Sequence, residues 1–393
     1  MNPRLVELSA LMISRGGSVD PRKHPNETFE LLSIPAHDRG LPDVVAGESI
    51  GSTKQVVQSG DVLLSKIVPH IRRAWVVPPR TSHRQIASGE WIVFRNEQIF
   101  GPYFRQLLVS DAFNSQFMQT VAGVGGSLLR ARPAHVAKIK VPLPPLNEQR
   151  RIAAILDKAD ELRAKRREAL AHLDTLTHSI FHIMFGDPAV NPMGYERKPL
   201  VELCRATDDI RCGPFGTQLN KREFRSSGVP LWGIKNVNRH FDLPTLEFLD
   251  EATANRLTSY SILPGDIVMT RKGTVGNCAV YPDTFPRGIM HSDLLRLRLD
   301  KQRANSKFIS DQLHSSRDVA HQVALISGGA IMAGINVSKL KAIEVVVPPL
   351  NCQGEYARRV AAVERLKEHH RAQLTELDTL FASLQHRAFK GEL

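Results

Sequence analysis

One stretch of this chain occurs twice. VPLPPLNEQ at Val141–Gln149 returns as VVVPPLNCQ at Val345–Gln353, and LDTL at Leu173–Leu176 returns as LDTL at Leu377–Leu380, both displaced by 204 residues. Two matches at one displacement define a colinear copied segment, and a fixed internal period constrains a fold more than any local pattern does. The preceding regions echo each other more faintly. SGDVLLSK (Ser59–Lys66) resembles PGDIVMTR (Pro264–Arg271) at a displacement of 205, and Gly125-Gly126 resembles Gly328-Gly329 at 203. The chain therefore reads as a tandem duplication whose junctions are more alike than its large halves.

Each junction opens on prolines, which cannot lie inside a helix, followed by Asn147 or Asn351 as an N-cap and then a long proline-free pattern. From Ile152 a 3,4 spacing selects Ile152, Ile155, Ala159, Leu162, Arg166, Ala169, Leu173, Leu176, Ile180 and Ile183, a heptad seam with one polar interruption. Adding 204 gives Tyr356, Arg359, Val363, Leu366, His370, Gln373, Leu377, Leu380, Leu384 and Arg387, a poorer seam whose middle residue is again polar. Roughly 37 residues make a helix about 55 Å long. An isolated helix of that length with one apolar stripe needs a partner, and the other copy is the obvious one. The expectation is an antiparallel intramolecular coiled coil holding the halves apart, although such seams also mediate trimers or docking.

The halves, 1–146 and 187–350, contain short β-rich runs (Asp61–Leu64, Trp75–Val77, Trp91–Phe94, Asp266–Thr270 and Leu294–Leu299) between Gly/Pro turns. Helices are expected at Tyr103–Val121 and near Ser306–Leu325, so both halves read as α+β. Of 393 residues, 52 are Lys or Arg against 40 Asp or Glu, a net charge of +12 that points to a polyanionic partner. The excess sits on the halves, with 17 basic against 11 acidic residues in the first and 21 against 17 in the second. The helical segments 147–186 and 351–393 carry 7 against 6 each, leaving them nearly balanced and free to meet protein.

Several classes of chemistry lack their signatures. No apolar stretch approaches the ~20 residues needed to cross a bilayer, and MNPRLVELSA has no secretory core, so a cytoplasmic protein without membrane contact is expected. Four separated cysteines suggest neither disulfides nor zinc. No GxxxxGK[ST] occurs, and GPFGT (Gly213–Thr217) lacks the lysine that would make one. Asn191-Pro192 followed by Tyr195 reads as a turn after FGDP (Phe185–Pro188) rather than a methyltransferase loop. Nothing supports a metal-dependent nuclease, so catalytic and metal-ligating residues are expected to be absent.

What remains are polar and basic residues on loops beside strands, the arrangement of a reader of duplex DNA. Ser65, Lys66, Arg72 and Arg73 accompany one Gly-Asp strand, and Thr270, Arg271 and Lys272 accompany its counterpart. Arg130 and Arg132 in SLLRARP could enter a groove. Gln218, Lys235 and Asn236 carry groups suited to base edges, though a structural role weighs slightly more for each.

PPLNEQRRIAAIL (Pro144–Leu156), FGDP, GPFGTQL (Gly213–Leu219), GVPLWGIKNV (Gly228–Val237), PGDIVMTRKGTVG (Pro264–Gly276), PPLN (Pro348–Asn351) and AFKGEL (Ala388–Leu393) together resemble the specificity subunit of type I restriction-modification systems. The resemblance covers essentially the whole chain and lies in the order and spacing of the motifs. It implies two globular α/β target-recognition domains, 1–146 and 187–350, separated by helical spacers at 147–186 and 351–393 that pair antiparallel with pseudo-twofold symmetry. It adds Phe215, Gly216 and Thr217 to the DNA-binding set beside Gln218, and makes Ile152, Ile155, Leu162, Arg166, Leu173, Leu176, Ile180, Val363, Leu366, His370, Leu377, Leu380 and Leu384 the spacer seam. It also implies a non-catalytic subunit that recognises a bipartite, asymmetric site in double-stranded DNA. Two methyltransferase subunits and two translocase-nuclease restriction subunits would supply the chemistry, holding S-adenosylmethionine, ATP and Mg themselves. The first half shows no GPFG sequence, and Cys352 and Gly354 replace the counterparts of Glu148 and Arg150. The competing class is a coiled-coil adaptor or DNA-binding regulator without a methyltransferase partner.

Overall fold

The structure, a computed structural model, describes residues 4–13, 16–123, 129–273, 275–327 and 335–393. The paired glycines 125–126 and 328–329 lie outside these residues. Two long helices, Leu146–Phe185 and Leu350–Lys390, dominate the chain. Both begin two residues earlier than asparagine caps would place them: the Pro145 carbonyl accepts the Gln149 N–H at 3.0 Å and the Pro349 carbonyl accepts the Gln353 N–H at 3.2 Å. Proline, with φ already near its helical value, opens the helix, so Asn147 and Asn351 fall in the first turn rather than at the cap. Contacts divide the chain into two compact units, Met1–Ala169 with His370–Leu393, and Leu170–His369. Each unit contains one globular half and one end of the helix pair.

In the first unit the strand Val62–Ser65 lies between Ala74–Val76 and Trp91–Phe94 in an antiparallel sheet, with Val62 opposite both Val76 and Phe94. Every residue of Val62–Ser65 and Trp91–Phe94 is buried, which explains their continuous apolar runs. Alternation along the strand serves two cores. Val62 and Leu64 pack towards the helices with Phe104, Leu156 and Phe389, while Leu63 packs with Leu32, Ala87 and Trp91. The latter core leads to a five-stranded sheet with a parallel pair, Thr28–Leu32 beside Arg84–Ala87, at its centre.

The second unit repeats this frame. Ile267–Thr270 lies between Cys278–Val280 and Leu294–Leu297, with Ile267 opposite Val280 and Leu297, and Ile210–Cys212 extends the sheet. Ile267 and Met269 face one core and Val268 another. A second five-stranded sheet again contains a parallel pair, Val229–Trp232 beside Gly288–Met290. The frames differ at an edge: Asp43–Ala46 ends its sheet, whereas its counterpart Phe248–Leu249 is covered by Phe224–Arg225.

The two longer helices expected inside the halves are each broken. Ser110 ends Gly101–Leu108 and caps Asp111–Met118, its hydroxyl accepting the Phe113 N–H at 3.3 Å. Ser316 separates Ser306–Ser315 from Arg317–Ser327 in the same way, accepting the Val319 N–H at 3.4 Å. A serine side chain that bonds its own backbone favours a new helix start over continuation.

Candidate nucleic-acid interface

The Gly-Asp pairs that precede the repeated strands anchor both units. Asp61 is buried; its carboxylate accepts the Gln58 N–H at 2.9 Å and the Nε and Nη2 of Arg95, both at 2.6 Å. Asp266 repeats this arrangement, accepting the Leu263 N–H at 2.8 Å and the Nε and Nη2 of Arg298 at 2.9 and 2.7 Å. Bidentate, charge-assisted bonds of this geometry fix the strand entrance and the arginine strand together. The partner arginines were missed from sequence, although each follows its Gly-Asp at nearly the same distance.

Ser65 and Thr270 close these strands, and here the DNA-contact expectation is corrected. Their exposures are 2 and 0%. The Ser65 hydroxyl donates to the Ile67 carbonyl at 3.0 Å and that of Thr270 to the Asn277 carbonyl at 3.2 Å. Their matched placement records the shared frame, since both faces of these strands are covered.

Beyond Thr270 the second unit brings three sequence motifs together. The Arg271 Nε donates to the Ile335 carbonyl at 3.2 Å, and its guanidinium lies 4.9 Å from the centre of the Phe215 ring. Lys272 pairs with Asp293 at 3.1 Å. Gly213 packs so closely that a Cβ there would stand 2.1 Å from the His291 carbonyl oxygen, and Gly216 has a φ of +48°, so both glycines of GPFG are required by the backbone. The loop is braced through Gln218: its Oε1 accepts the Phe215 N–H at 2.8 Å and the Tyr260 hydroxyl at 3.0 Å, while its carbonyl accepts Arg256 at 2.7 Å. Phe215, Gly216, Thr217 and Gln218 remain exposed. The helix Ile234–Asn238 abuts Gly273 and carries exposed Lys235. The Asn236 amide is committed to backbone, accepting the Gly233 N–H at 3.2 Å and donating to Leu243 at 3.3 Å, so here its structural role is the one observed.

The corresponding loop of the first unit handles its cations differently. Arg72 donates to the Val109 carbonyl at 3.2 Å and to Asp111 at 2.5 Å. Arg73 grips Asp38 with two bonds of 2.7 Å, which holds the Asp38 carboxyl down at about 2. Arg130 faces Glu90 at 3.4 Å, Arg132 is exposed at the start of Pro133–Val136, and half-buried Lys66 accepts the Ala131 N–H on its carbonyl at 2.7 Å. Asp38, Glu90 and Asp111, distant in sequence from the cations they meet, gave no signal in the motifs. Among the described residues no group of three or more His, Cys, Asp or Glu side chains could hold a metal ion, and no helix is long and apolar enough to cross a membrane.

Comparison with known proteins agrees with this geometry. Residues 86–172 match the family model described as "Type I restriction modification DNA specificity domain". A putative type I restriction enzyme MjaX specificity subunit of Methanocaldococcus jannaschii is 19% identical across 93% of this chain and 86% of its own length. The type I restriction enzyme EcoKI specificity subunit of Escherichia coli is 25% identical across 77% of this chain and 68% of its own. Over most of its length the chain is similar to type I restriction enzyme specificity subunits. Two solved structures share its fold over nearly the full length of both chains. One, from work on complex assembly and conformational transition of the type I R-M system, has a TM-score of 0.61 at 23% identity, covering 100% of this chain and 98% of the other. The S subunit from M. genitalium gives 0.60 at 12%, covering 99% of each.

In this chain the glutamine of each PPLNxQ motif fastens a long helix to its globular half. Gln149, fully buried, accepts the Phe100 N–H at 2.8 Å and donates to the carbonyls of Gln98 and Pro144, both at 2.8 Å. Gln353, equally buried, accepts the Asn305 N–H at 2.8 Å and donates to Pro348 at 2.7 Å. The replacement of Glu148 and Arg150 by Cys352 and Gly354 leaves this latch intact.

The long helices pair antiparallel within each unit. In the first, Arg163 bonds Asp378 at 2.6 Å and lies 4.2 Å from the Phe381 ring centre, while Arg166 meets its repeat equivalent His370. In the second, Lys367 bonds Asp174 at 2.8 Å, and Phe181 packs on Tyr356 and Phe308, each 5.5 Å away. Adding 204 to Arg163 and subtracting it from Asp378 gives Lys367 and Asp174, so the ion pair recurs with its helices exchanged. Half of the expected seam points inward: Ile152 and Val363 are buried, and Arg166, Leu173, Ile180, His370, Leu377 and Leu384 are half-buried. The interleaved half is one residue out of register. Leu162, Leu176, Leu366 and Leu380 are 41 to 50% exposed, and Ile155 is only half-buried. The inward places belong to Leu156, Arg163, Thr177, Val360, Lys367 and Phe381. Both phases obey the heptad, and the facing aspartates and Phe381 admit Arg163 and Lys367 in place of the adjacent leucines.

Proposed function

We propose that this chain is the specificity subunit of a type I restriction-modification complex and recognises a bipartite, asymmetric site in double-stranded DNA, each globular half reading one part. It performs no covalent step itself. Two methyltransferase subunits methylate adenine using S-adenosylmethionine, two restriction subunits cleave with ATP and magnesium, and the complex works in the cytoplasm. One observation carries the reading: a single strand frame occurs twice, with different residues on equivalent loops, and each copy is latched through a buried glutamine to an antiparallel helix pair. Two like frames with unlike loops suit a site whose halves differ in sequence. Exposed cations on those loops, among them Lys235, Arg132 and Lys272, suit phosphate contact. The 40-residue helix, about 60 Å long at 1.5 Å per residue, suits a spacing device.

The test is a genome-wide map of adenine methylation in cells lacking the chain, carrying it, or carrying a version with seven residues inserted after both Ala169 and Gln373. One bipartite methylated motif should appear only with the chain. The insertion keeps the heptad and adds about 10 Å, so the unspecified gap should grow by roughly three base pairs. An unchanged methylation map without the chain overturns the function, and an unchanged gap overturns the spacing role.

A further inference from the structure

Phe215 is an aromatic side chain that the second unit displays beside its loop cations, 51% exposed even with Arg271 against its ring. Exposed aromatic surface on an otherwise mobile loop would mean little, but this loop is built to hold the ring. Gly213 is pressed against the His291 carbonyl, Gly216 turns the chain at positive φ, and the Phe215 N–H is tied to a Gln218 side chain that also accepts the Tyr260 hydroxyl. Arg271 is itself pinned through its Nε to the Ile335 carbonyl, so its guanidinium is a fixed shelf under the ring rather than a wandering charge. Lys272 lies next to it along the chain.

We propose that Phe215 is a stacking wedge that enters a base step of the half-site read by the second unit. The inference rests on the DNA-reading function above. Insertion buries the ring between bases, which have a π-face whatever their identity, and Arg271 and Lys272 meet the phosphates brought close by the opened step. Among its described residues the first unit displays an aliphatic side chain on its cationic loop, Ile71, 45% exposed beside Arg72 and Arg73, in place of a ring. Its Met12 bridges Phe94 as Ile210 pairs with Leu297, and in the sequence that follows no Phe, Tyr or Trp occurs between Ile13 and Thr28. The stacking ring therefore serves one half-site only, and discrimination there includes how readily the step unstacks.

The experiment uses the assembled complex and duplexes of the mapped site carrying 2-aminopurine at successive positions of each half. The wild-type complex should raise fluorescence at one step that is silent with Phe215→Ala, in one half-site only. Affinity should fall roughly tenfold to a hundredfold with Phe215→Ala and return with Phe215→Tyr. Any signal that survives Phe215→Ala at an adenine position belongs to a flipped target base, and its survival alone, with no Phe215-dependent step, overturns the wedge. Unchanged DNA affinity with impaired assembly of the complex also overturns it, making Phe215 a protein contact. If the wild-type complex fails to bind the mapped site at all, the DNA-reading function fails first, which separates the two conclusions.

Discussion

Asp61 and Asp266 occupy the same place in the two units, each buried and each gripping an arginine on a neighbouring strand, whereas the loops leaving those strands diverge. In the first unit Arg72, Arg73 and Arg130 meet Asp111, Asp38 and Glu90 of the same unit. In the second, Lys272 pairs with Asp293, whereas Arg271 rests on a carbonyl and a phenyl ring. The difference teaches that the duplication preserved interactions that position strands and left free those that only decorate them. A buried carboxylate bound to two guanidinium nitrogens and a backbone N–H cannot drift without losing all three, while a loop cation can exchange its partner at little cost.

The largest effect should come from breaking the common part. Asp61→Ala and Asp266→Ala each leave an arginine and a backbone N–H without their acceptor, at a cost of about 3 kcal/mol, the partly exposed arginines keeping it from being greater. Chemical denaturation of the single variants should give equal losses within about 1 kcal/mol. A loss in one unit only would show that the frames are alike in geometry but not in energetics.

A smaller effect sharpens the contrast between loops. Replacing Arg271 and Lys272 together by alanine should flatten the dependence of log affinity on log salt by up to about two units, one for each phosphate contact removed. Replacing Arg72 and Arg73 should change the slope less, because both meet an aspartate of their own unit before DNA arrives, whereas of the second pair only Lys272 does. Equal changes, read from binding titrations across a salt series, would mean that those ion pairs open on binding and that the contrast belongs to the free protein alone.

The sequence made the repeated features legible for physical reasons. Strands covered on both faces must be continuously apolar, so Val62–Ser65 and Ile267–Thr270 could be read directly, and prolines followed by a heptad must announce long paired helices. The phase of that heptad was not legible, because leucine and lysine one residue apart both satisfy the period and the choice lies with Asp174, Asp378 and Phe381 on the facing helix. Ser65 and Thr270 were misread for a related reason. Their equivalence in the repeat is genuine, but a repeat reports common constraint, and at a strand end that constraint is burial. The partners of Arg72 and Arg73 lie 39 and 35 residues away, beyond any local pattern.

The smallest expected effect concerns pH and touches one unit only. Arg73 bonds Asp38 twice and holds its carboxyl at about 2, below the ordinary 3.8, with His37 adding to the attraction. Because the folded value lies below the unfolded one, the ion pair contributes stability above about pH 4, and that contribution fades as pH falls through 4 towards 2. Asp38 is nearly half exposed, so solvent screening keeps the contribution small. Unfolding midpoints of the wild type and Asp38→Asn, followed from pH 6 down to pH 2, should differ slightly at the upper end and converge at the lower. The Arg271 shelf contains no carboxylate, so Arg271→Ala should differ from wild type by an amount that does not vanish over the same range. Convergence of both variants at low pH would mean that Arg271, like its neighbour Lys272, depends on an acidic group, and that the two units handle their cations alike.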